Sequence, residues 1–339
     1  PYPTAVLVRA GAGGDRPLID RGVRDRAGQS APGTGLAVHL AHAGFAGVSV
    51  DGPLGGIRNI AAWDEQFATF NFLNLAALRD NVRQSALELV LVAHALDALE
   101  LDASACRGAS ARVRLDASHL ALIGHSMGAT IAPLAAAAEP RFRALILSGA
   151  GASWIRQIIY KRSPFATRGM AELMLGYSLQ ARTLSEHDPM LSLLNWAGEA
   201  ADPQSYGRAL AEGSPPDVLV FQGLLDTYIP PPIANPLNLA LGLDLGGVEL
   251  DEGYAEYRSY ASDAALGGHE VLALPVQGNT PSGATRVLAQ HPEDGIEDGH
   301  EVLFQQVGAQ RQLRCFLESF ARGTPIVVEP GDPLAPCAW

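Results

Sequence analysis

Apolar runs of strand length alternate with helix-length periodic segments along most of this chain. The strand-length runs are Thr4–Val8, Ala46–Val50, His119–Gly124, Ala144–Ser148, Asp217–Phe221 and Thr285–Ala289. Short apolar runs bounded by turn residues are typical of strands that are buried on both faces, and helices between such strands connect parallel neighbours. The pattern therefore predicts an α/β fold with a mostly parallel sheet flanked by helices.

Four segments carry apolar residues at helical spacing or a composition that favours a helix. They are residues 36–42, 74–99, 127–139 and 300–322. Gly44 is suited to cap the first of these, and Pro140 ends the third because proline cannot continue a helix. Residues 102–116 are small and polar, which predicts a surface connection.

Two segments interrupt the alternation. Residues 151–216 carry aromatic and methionine side chains on helix-like stretches without a strand pattern, and residues 228–279 look irregular, with three prolines at 230–232. No stretch of linker composition separates two halves of the chain. We therefore expect a single domain over residues 1–339, with one insertion at 151–216 and a second insertion at 228–279.

The sharpest motif is Gly124-His125-Ser126-Met127-Gly128, which joins a buried strand directly to an apolar helix. A serine on such a turn can act as a nucleophile because the turn lifts its hydroxyl off the sheet edge, near the positive end of the helix. The glycines at both ends allow the tight turn. The motif predicts that Ser126 is a catalytic nucleophile, whereas the alternative is a plain glycine turn with a buried serine.

A nucleophilic serine needs a base that an acid orients, in the chain order Ser, Asp or Glu, then His. Asp226 follows the strand at 217–221 and precedes a proline, so we predict that it is the acid; Asp202 and Asp217 do not follow a strand. His300 lies in a loop after the last strand and is favoured as the base. His291 ends that strand and is the main rival, but it lacks the loop length to reach Ser126.

The oxyanion of an acyl-transfer intermediate needs two backbone N–H donors. Met127, at the start of the helix after Ser126, should supply one. The glycine-rich loop after the first strand should supply the other, and Ala12 is the favoured residue. That loop lacks the spacing of a phosphate-binding or dinucleotide-binding motif. No metal-ligand spacing occurs either, so no metal is expected.

Composition and charge limit the classes of partner and the cellular locations that we expect for this protein. The 339 residues carry 24 Lys and Arg against 36 Asp and Glu, a net charge of −12, and Lys161 is the only lysine. Without a basic stripe to neutralise phosphates, nucleic-acid binding is not expected. No apolar run approaches the length of a transmembrane helix. The three cysteines allow at most one disulfide, and a first residue other than Met favours a secreted or periplasmic location, with a cytoplasmic one still open.

The strand–Gly-His-Ser-Met-Gly–helix unit, followed by Gly-Leu-Leu-Asp226 and Asp-Gly-His300, resembles the α/β-hydrolase superfamily. It is most similar to bacterial secreted or surface esterases and lipases, and residues 44–58 resemble a further segment of that family. The resemblance implies an acyl-serine mechanism, no cofactor, a cap at 151–216, and a small-molecule or lipid ester as substrate. It also implies that the chain begins at the family's third strand.

Two departures stand out: the family's His-Gly pairs read Ala10-Gly11 and Gly55-Gly56 here, so the oxyanion loop must be braced differently. Amide or peptide hydrolysis and acyl transfer use the same triad and stay open as alternatives. A non-catalytic protein that binds ligands in the same pocket is the alternative from another class.

Overall fold

A computed structural model of the chain describes residues 1–11, 14, 16–60, 63–108, 110–180, 182–254 and 256–337. The strands formed by these residues are β1 (Tyr2–Val8), β2 (Ala46–Ser49), β3 (Glu100–Asp102), β4 (Arg112–His125), β5 (Phe142–Ser148), β6 (Asp217–Gly223), β7 (Asp244–Gly246), β8 (Val271–Leu272), β9 (Val276–Gln277), β10 (Arg286–His291) and β11 (Ile326–Val327). The α-helices are α1 (Pro17–Asp20), α2 (Leu36–His42), α3 (Glu65–Thr69), α4 (Leu75–Ala98), α5 (Met127–Ala138), α6 (Trp154–Tyr160), α7 (Thr167–Met174), α8 (Pro189–Gly198), α9 (Gly207–Ala211), α10 (Pro231–Ala240), α11 (Tyr260–Ala264), α12 (Val302–Gln305) and α13 (Val307–Phe320).

The main sheet is mostly parallel. Its order is β2-β1-β4-β5-β6-β10-β7-β8, and every neighbouring pair along this path is parallel. β3 pairs with β4 in the antiparallel sense at one end, and β9 forms a separate antiparallel pair with β11. The prediction of a mostly parallel sheet flanked by helices is confirmed.

Two apolar cores lie on opposite faces of this sheet. In β4, Leu122 enters the core formed with α4 and α5, and its neighbour Ile123 enters the core formed with α2 and α13. Successive side chains of a strand point to opposite faces, so a strand covered by helices on both sides must be apolar at every position. This is why the central strands read as unbroken apolar runs.

Local signals in the sequence define several helix ends. The helix predicted at 36–42 has those bounds, and Gly44 follows it at a φ of 80°. The long helix α4 begins after Asn74, whose side chain accepts a hydrogen bond from the N–H of Ala77. Such a side-chain acceptor satisfies one of the N–H groups that a helix start leaves without a partner.

Two expectations about connections missed secondary structure. Most of the described residues of 102–116 are exposed, as expected of a surface connection, but β3 and the first part of β4 pair there as an antiparallel hairpin. Residues 228–279 are not simply irregular, since they contain α10 and add β7 and β8 to the edge of the main sheet. Short strands of two or three residues give too weak a periodic signal to be found in the sequence.

The segment between β5 and β6, residues 151–216, contains helices α6 to α9 and no β-strand among its described residues. It packs on α4 through α8 and on α5 through α9. Residues of the segment, among them Trp154, Gln157 and Phe165, also line a cavity with Ser126.

Cys315 and Cys337 form a disulfide between α13 and the C-terminal segment, and Cys106 is exposed and free. Among the helices of the described residues, none combines the length and apolar character needed to cross a bilayer.

Candidate active site

Ser126 occupies the single residue between the end of β4 and the start of α5. Its backbone has φ 55° and ψ −116°, a conformation that residues with a side chain rarely adopt. The Ser126 N–H donates to the carbonyl oxygen of Ser148 at 3.0 Å, which ties the turn to the end of the neighbouring strand β5. A strained residue held by its surroundings is a common feature of functional sites.

The two glycines of the motif are required by close backbone contacts. A Cβ on Gly124 would lie 2.6 Å from the carbonyl oxygen of Gly128. A Cβ on Gly128 would overlap the carbonyl oxygen of Val8 at the end of β1. The glycines therefore let α5 start directly against two strands, and this close approach fixes the position of Ser126.

Asp226 and His300 form a buried hydrogen-bonded pair. The distance from His300 Nδ1 to Asp226 Oδ2 is 2.9 Å, and both side chains are at most 4% exposed. The other carboxylate oxygen, Oδ1, accepts backbone N–H groups of Tyr228 at 2.8 Å and Ile229 at 2.6 Å. These donors hold the Asp226 carboxylate in place, so that it accepts the Nδ1 proton of His300 and leaves Nε2 free to take another proton.

The loops that carry the pair are joined by Asp298, a residue that the sequence interpretation did not single out. Its carboxylate accepts the N–H of Thr227 at 3.1 Å, the hydroxyl of Thr227 at 2.6 Å and the N–H of His300 at 2.9 Å. The loops also meet at glycines, because a Cβ on Gly299 would overlap the carbonyl oxygen of Leu224. Asp298 therefore fixes the spacing between acid and histidine.

The His300 ring contacts residues that neighbour Ser126 in the sequence or in hydrogen bonding, and it contacts Tyr228. A Cβ on Gly149 would lie 2.5 Å from His300 Cε1, and Gly149 directly follows Ser148, the acceptor for the Ser126 N–H. The ring centroid of His300 lies 4.9 Å from that of His125, the residue before the serine. It also stacks on the Tyr228 ring at 4.8 Å. His300 Nε2 is buried without a hydrogen-bond partner among the described residues.

His125 is fully buried and belongs to a charged cluster behind the site. Arg21 donates to His125 Nε2 at 3.0 Å and forms an ion pair with Glu301. Burial lowers the pKa of His125 to about 4. Because His125 is then neutral at ordinary pH, it places no second positive charge beside His300.

The residues considered as alternatives to His300 and Asp226 have other partners. His291 Nε2 is 2.8 Å from Gln312 Oε1 on α13, on the opposite side of the sheet from α5, and burial lowers the pKa of His291 to about 4. Asp202 accepts the N–H groups of Ser153 and Trp154 at the start of α6, and burial raises its pKa. Asp217 accepts the N–H of Thr285 at 2.7 Å. The structure brings none of the three to Ser126.

The predicted donors for an oxyanion are at the start of α5 and in the loop after β1. Met127 is the first residue of α5, so its N–H has no acceptor within the helix. Gly11, in the loop after β1, lines the same cavity as Ser126 and packs closely on Gln66. Ala12, predicted as the second donor, lies outside the described residues.

Arg9 braces the loop after β1. Its guanidinium lies 2.7 Å from the Glu65 carboxylate on α3 and donates to the carbonyl oxygen of Gly14 at 3.0 Å. Arg9 is 6% exposed, so these interactions occur in a poorly solvated environment where charge-assisted hydrogen bonds are strong. An arginine thus supplies bracing where the sequence interpretation noted the absence of the family's histidines.

Ser126 opens into a cavity of about 60 Å³, mostly lined by aromatic side chains and by residues of the inserted segment. A second, almost entirely apolar cavity of about 260 Å³ lies between α6, α7 and α8. The two cavities share Phe72, Phe165 and Thr167 as lining residues, so they are adjacent. The ring of Phe165 stacks on Phe67 at 5.5 Å, which connects the inserted segment to α3.

In the described part of the chain, no group of three or more His, Cys, Asp or Glu side chains is arranged to hold a metal ion.

Comparison with known proteins gives only distant structural similarities. No protein-family model and no curated protein matches the sequence. An acetyl xylan esterase from Thermoanaerobacterium sp. is similar at a TM-score of 0.44 and 15% identity, over 87% of this chain and 70% of the esterase. An acylaminoacyl peptidase from Pyrococcus horikoshii is similar at 0.47 and 13%, over 97% of this chain and 38% of the peptidase.

A puromycin-hydrolyzing peptidase from Mycobacterium tuberculosis is similar at a TM-score of 0.47 and 15% identity, over 98% of this chain and 36% of that one. The chain thus spans little more than a third of the length of either peptidase. Because these TM-scores are below 0.5, we infer the chemistry of the site from the geometry of its own residues and not from these similarities. The sheet order and the strand–Ser126–helix turn, with an acid and a histidine on later loops, have the architecture of the α/β-hydrolase fold.

Proposed function

We propose that this protein is a serine hydrolase that cleaves carboxylic esters through an acyl-enzyme. One observation carries the proposal: His300 hydrogen-bonds to Asp226 through Nδ1, its buried Nε2 has no partner among the described residues, and its ring lies 4.9 Å from that of His125, the residue before Ser126 on the strained turn. A nucleophile, a base and an orienting acid in this relation are what acyl transfer requires. A protein that only binds ligands has no need for the three together.

In the proposed mechanism, the hydroxyl of Ser126 attacks the ester carbonyl while His300 Nε2 takes its proton. Asp226 holds the imidazole in the required tautomer and stabilises the imidazolium that forms. His300 then gives the proton to the leaving alcohol. Water repeats the sequence on the acyl-enzyme and releases the acid.

The negative charge on the former carbonyl oxygen needs donors that are already in place. We assign one of these to the N–H of Met127, because the first N–H groups of a helix point out of its end. We assign the second to the N–H of Ala12 in the loop that Arg9 braces. The contacts of Arg9 with the Gly14 carbonyl oxygen and with Glu65, on described residues of the same region, support this assignment.

We further propose that residues 151–216 act as a cap that binds the apolar part of the substrate. The cavity of about 260 Å³ between its helices adjoins the Ser126 cavity, and its lining is leucine, isoleucine, methionine and phenylalanine with a single threonine and alanine. A cavity of this kind favours an alkyl chain, since each buried methylene contributes about 0.8 kcal/mol. The substrate class is thus a small-molecule or lipid ester with an apolar arm.

Hydrolysis of 4-nitrophenyl butyrate by the wild type and by Ser126→Ala tests the function. We expect Ser126→Ala to lose about 10⁴-fold or more in kcat/KM, while Ser104→Ala, on an exposed loop, behaves like the wild type. Undiminished turnover by Ser126→Ala would contradict the proposal. Equal turnover of the matched 4-nitroanilide would replace the ester assignment with an amide one.

A series of 4-nitrophenyl esters of increasing acyl length tests the cap. Ala171 lines the apolar cavity on α7, so Ala171→Phe should fill part of it and end the gain in kcat/KM at a shorter chain than in the wild type. Ala211→Phe adds the same ring at an exposed position of α9 and serves as the matched control. The same chain-length profile in all three proteins would show that the cavity does not bind the acyl group.

The expected secreted or periplasmic location gains support from the Cys315–Cys337 disulfide, because disulfides persist mainly in oxidising compartments. We retain that location as part of the proposal.

A further inference from the structure

Lys161 is the only charged residue among the described residues that line the Ser126 cavity. It is also the only lysine of the chain, in a protein whose net charge is −12. The remaining lining residues are aromatic, aliphatic or neutral polar, among them Gln66 and Gln157. A single positive charge in an otherwise neutral, poorly solvated cavity exerts a strong local field.

Lys161 is held at the cavity wall by contacts with the loop that carries Asp226. It follows the last residue of α6, and its Nζ donates to the carbonyl oxygen of Tyr228 at 3.0 Å. Nζ also lies 5.7 Å from the centroid of the Tyr228 ring, which stacks on His300. The ammonium group is therefore anchored in the layer of side chains that surrounds the proposed base.

Among the described residues, no ion pair neutralises this ammonium group. A lysine has three N–H donors, and in the described part of the chain the carbonyl of Tyr228 is the one acceptor found for Nζ. The opposing charge that acts on it is Asp226, which is engaged with His300 and two backbone N–H groups. Burial lowers the pKa of Lys161 to about 8, against the attraction of Asp226.

We propose that Lys161 binds a carboxylate group of the substrate, so that the protein prefers esters with a negative charge a few bonds from the scissile carbonyl. This inference rests on the proposed ester hydrolase function and names its substrate class. A carboxylate would fill the free donors of Nζ and compensate a charge that burial makes costly. Together with the apolar cavity, it describes an amphiphilic ester with one apolar arm and one anionic arm.

A purely structural role for Lys161 makes a different prediction. The main chain of the same segment is already joined to the acid loop, because the N–H groups of Arg162 and Ser163 donate to the carbonyl oxygen of Thr227 at 3.0 Å. If Lys161 only strengthened that joint, its removal would lower the turnover of neutral and anionic esters by the same factor. If it binds a carboxylate, the ratio between the two classes must change.

The test compares matched neutral and anionic esters in the wild type, Lys161→Met and Lys161→Arg. One pair has the charge on the acyl side, mono-4-nitrophenyl glutarate against 4-nitrophenyl pentanoate. The other has it on the leaving group, 4-carboxyphenyl butyrate against phenyl butyrate. Arg162→Met is the matched control, since Arg162 is the neighbouring cation but is exposed and paired with Glu256 at 3.0 Å.

We expect the ratio of kcat/KM for anionic over neutral ester to fall about tenfold or more in Lys161→Met for at least one pair. Lys161→Arg should keep most of that ratio, and Arg162→Met should leave it within about twofold. An unchanged ratio in Lys161→Met for both pairs would overturn the inference, even if both activities fell. Absence of Ser126-dependent hydrolysis of the neutral esters would instead contradict the proposed function itself.

The pH dependence gives a second readout that a structural role would not produce. As the pH rises from about 7 to about 9, Lys161 loses its charge, so the wild-type ratio should fall. In Lys161→Arg the ratio should stay level, because a guanidinium does not lose its proton in this range. A pH effect on the hydrolytic step itself acts on both esters of a pair and cancels in the ratio. A level ratio in the wild type would contradict the inference.

Discussion

Asp226 combines two tasks at the scale of a single residue. One carboxylate oxygen accepts the His300 Nδ1–H, and the other accepts two backbone N–H groups of its own loop. An asparagine at this position keeps an acceptor but can also turn its NH₂ group towards His300, which then presents the wrong tautomer to Ser126.

We therefore expect Asp226→Asn to lower kcat by about 10³- to 10⁴-fold while the protein stays folded, as measured by ester hydrolysis and circular dichroism. Asp217→Asn is the matched control, because Asp217 is also a partly buried carboxylate that accepts a backbone N–H, and it lies at the start of β6. An Asp226→Asn variant with activity close to the wild type would remove Asp226 from the mechanism.

His291 illustrates how a buried histidine affects stability rather than catalysis. Burial lowers its pKa to about 4, whereas an unfolded histidine titrates near 6.5. Between these values the unfolded chain binds a proton that the folded protein does not, so the free energy of unfolding falls as the pH is lowered through this window.

Replacing His291 by Gln should therefore reduce the slope of the unfolding free energy against pH between about 5 and 6. The reduction should approach one proton, or about 1.4 kcal/mol per pH unit. Urea unfolding at several pH values measures both slopes. Identical slopes in the wild type and His291→Gln would mean that His291 is protonated alike in both states.

Residues of the site differ in how far the sequence could reveal them. The turn that carries Ser126 could be predicted because its motif is local. The pairing of Asp226 with His300 could be predicted because chain order and loop length favoured His300 over His291. The position of Arg9, Asp298 and Lys161 was not predictable. Their importance comes from burial between loops that are distant in the sequence, and no local pattern marks a buried arginine or lysine.

At the scale of elements, the turn between β4 and α5 depends on backbone contacts. α5 can start against β1 only because Gly128 has no side chain. Gly169, near the start of α7, is the opposite case, since no atom lies within 4 Å of its Cβ position.

Gly128→Ala should destabilise the protein by about 1–3 kcal/mol and lower kcat through displacement of Ser126. Gly169→Ala should leave kcat unchanged and stabilise the helix by up to about 1 kcal/mol. Thermal unfolding and ester hydrolysis of both variants test this contrast. Equal behaviour of the two alanine variants would show that the close contact at Gly128 is not needed.

The long elements could be predicted from the sequence because their signals are strong. The helix at 74–99 and the apolar run at 119–124 have the periodicity and length that define a buried helix and strand. The short elements could not be predicted. β3, β7 and β8 have two or three residues each, and tertiary contacts at the sheet edges decide their conformation.

At the scale of the whole molecule, the parallel sheet gathers the ends of distant segments. β4, β6 and β10 lie within one sheet, and Ser126, Asp226 and His300, up to 174 residues apart in the sequence, all follow the carboxyl ends of these strands. The inserted segment carries Lys161 and lines both the Ser126 cavity and the apolar cavity. The fold class could be predicted from the alternation of apolar runs. The cavity-lining side chains of the inserted segment could not be predicted, because they follow no repeating pattern.

We propose that His300 activates Ser126 as a nucleophile. Covalent labelling with a fluorophosphonate, followed by intact-mass measurement and peptide mapping, tests it most directly because the reagent needs no knowledge of the substrate. We expect one adduct, on the peptide that contains Ser126, and we expect labelling to be about 10²-fold slower or more in His300→Gln. No adduct, an adduct at another residue, or equal labelling of Ser126 in His300→Gln would contradict it.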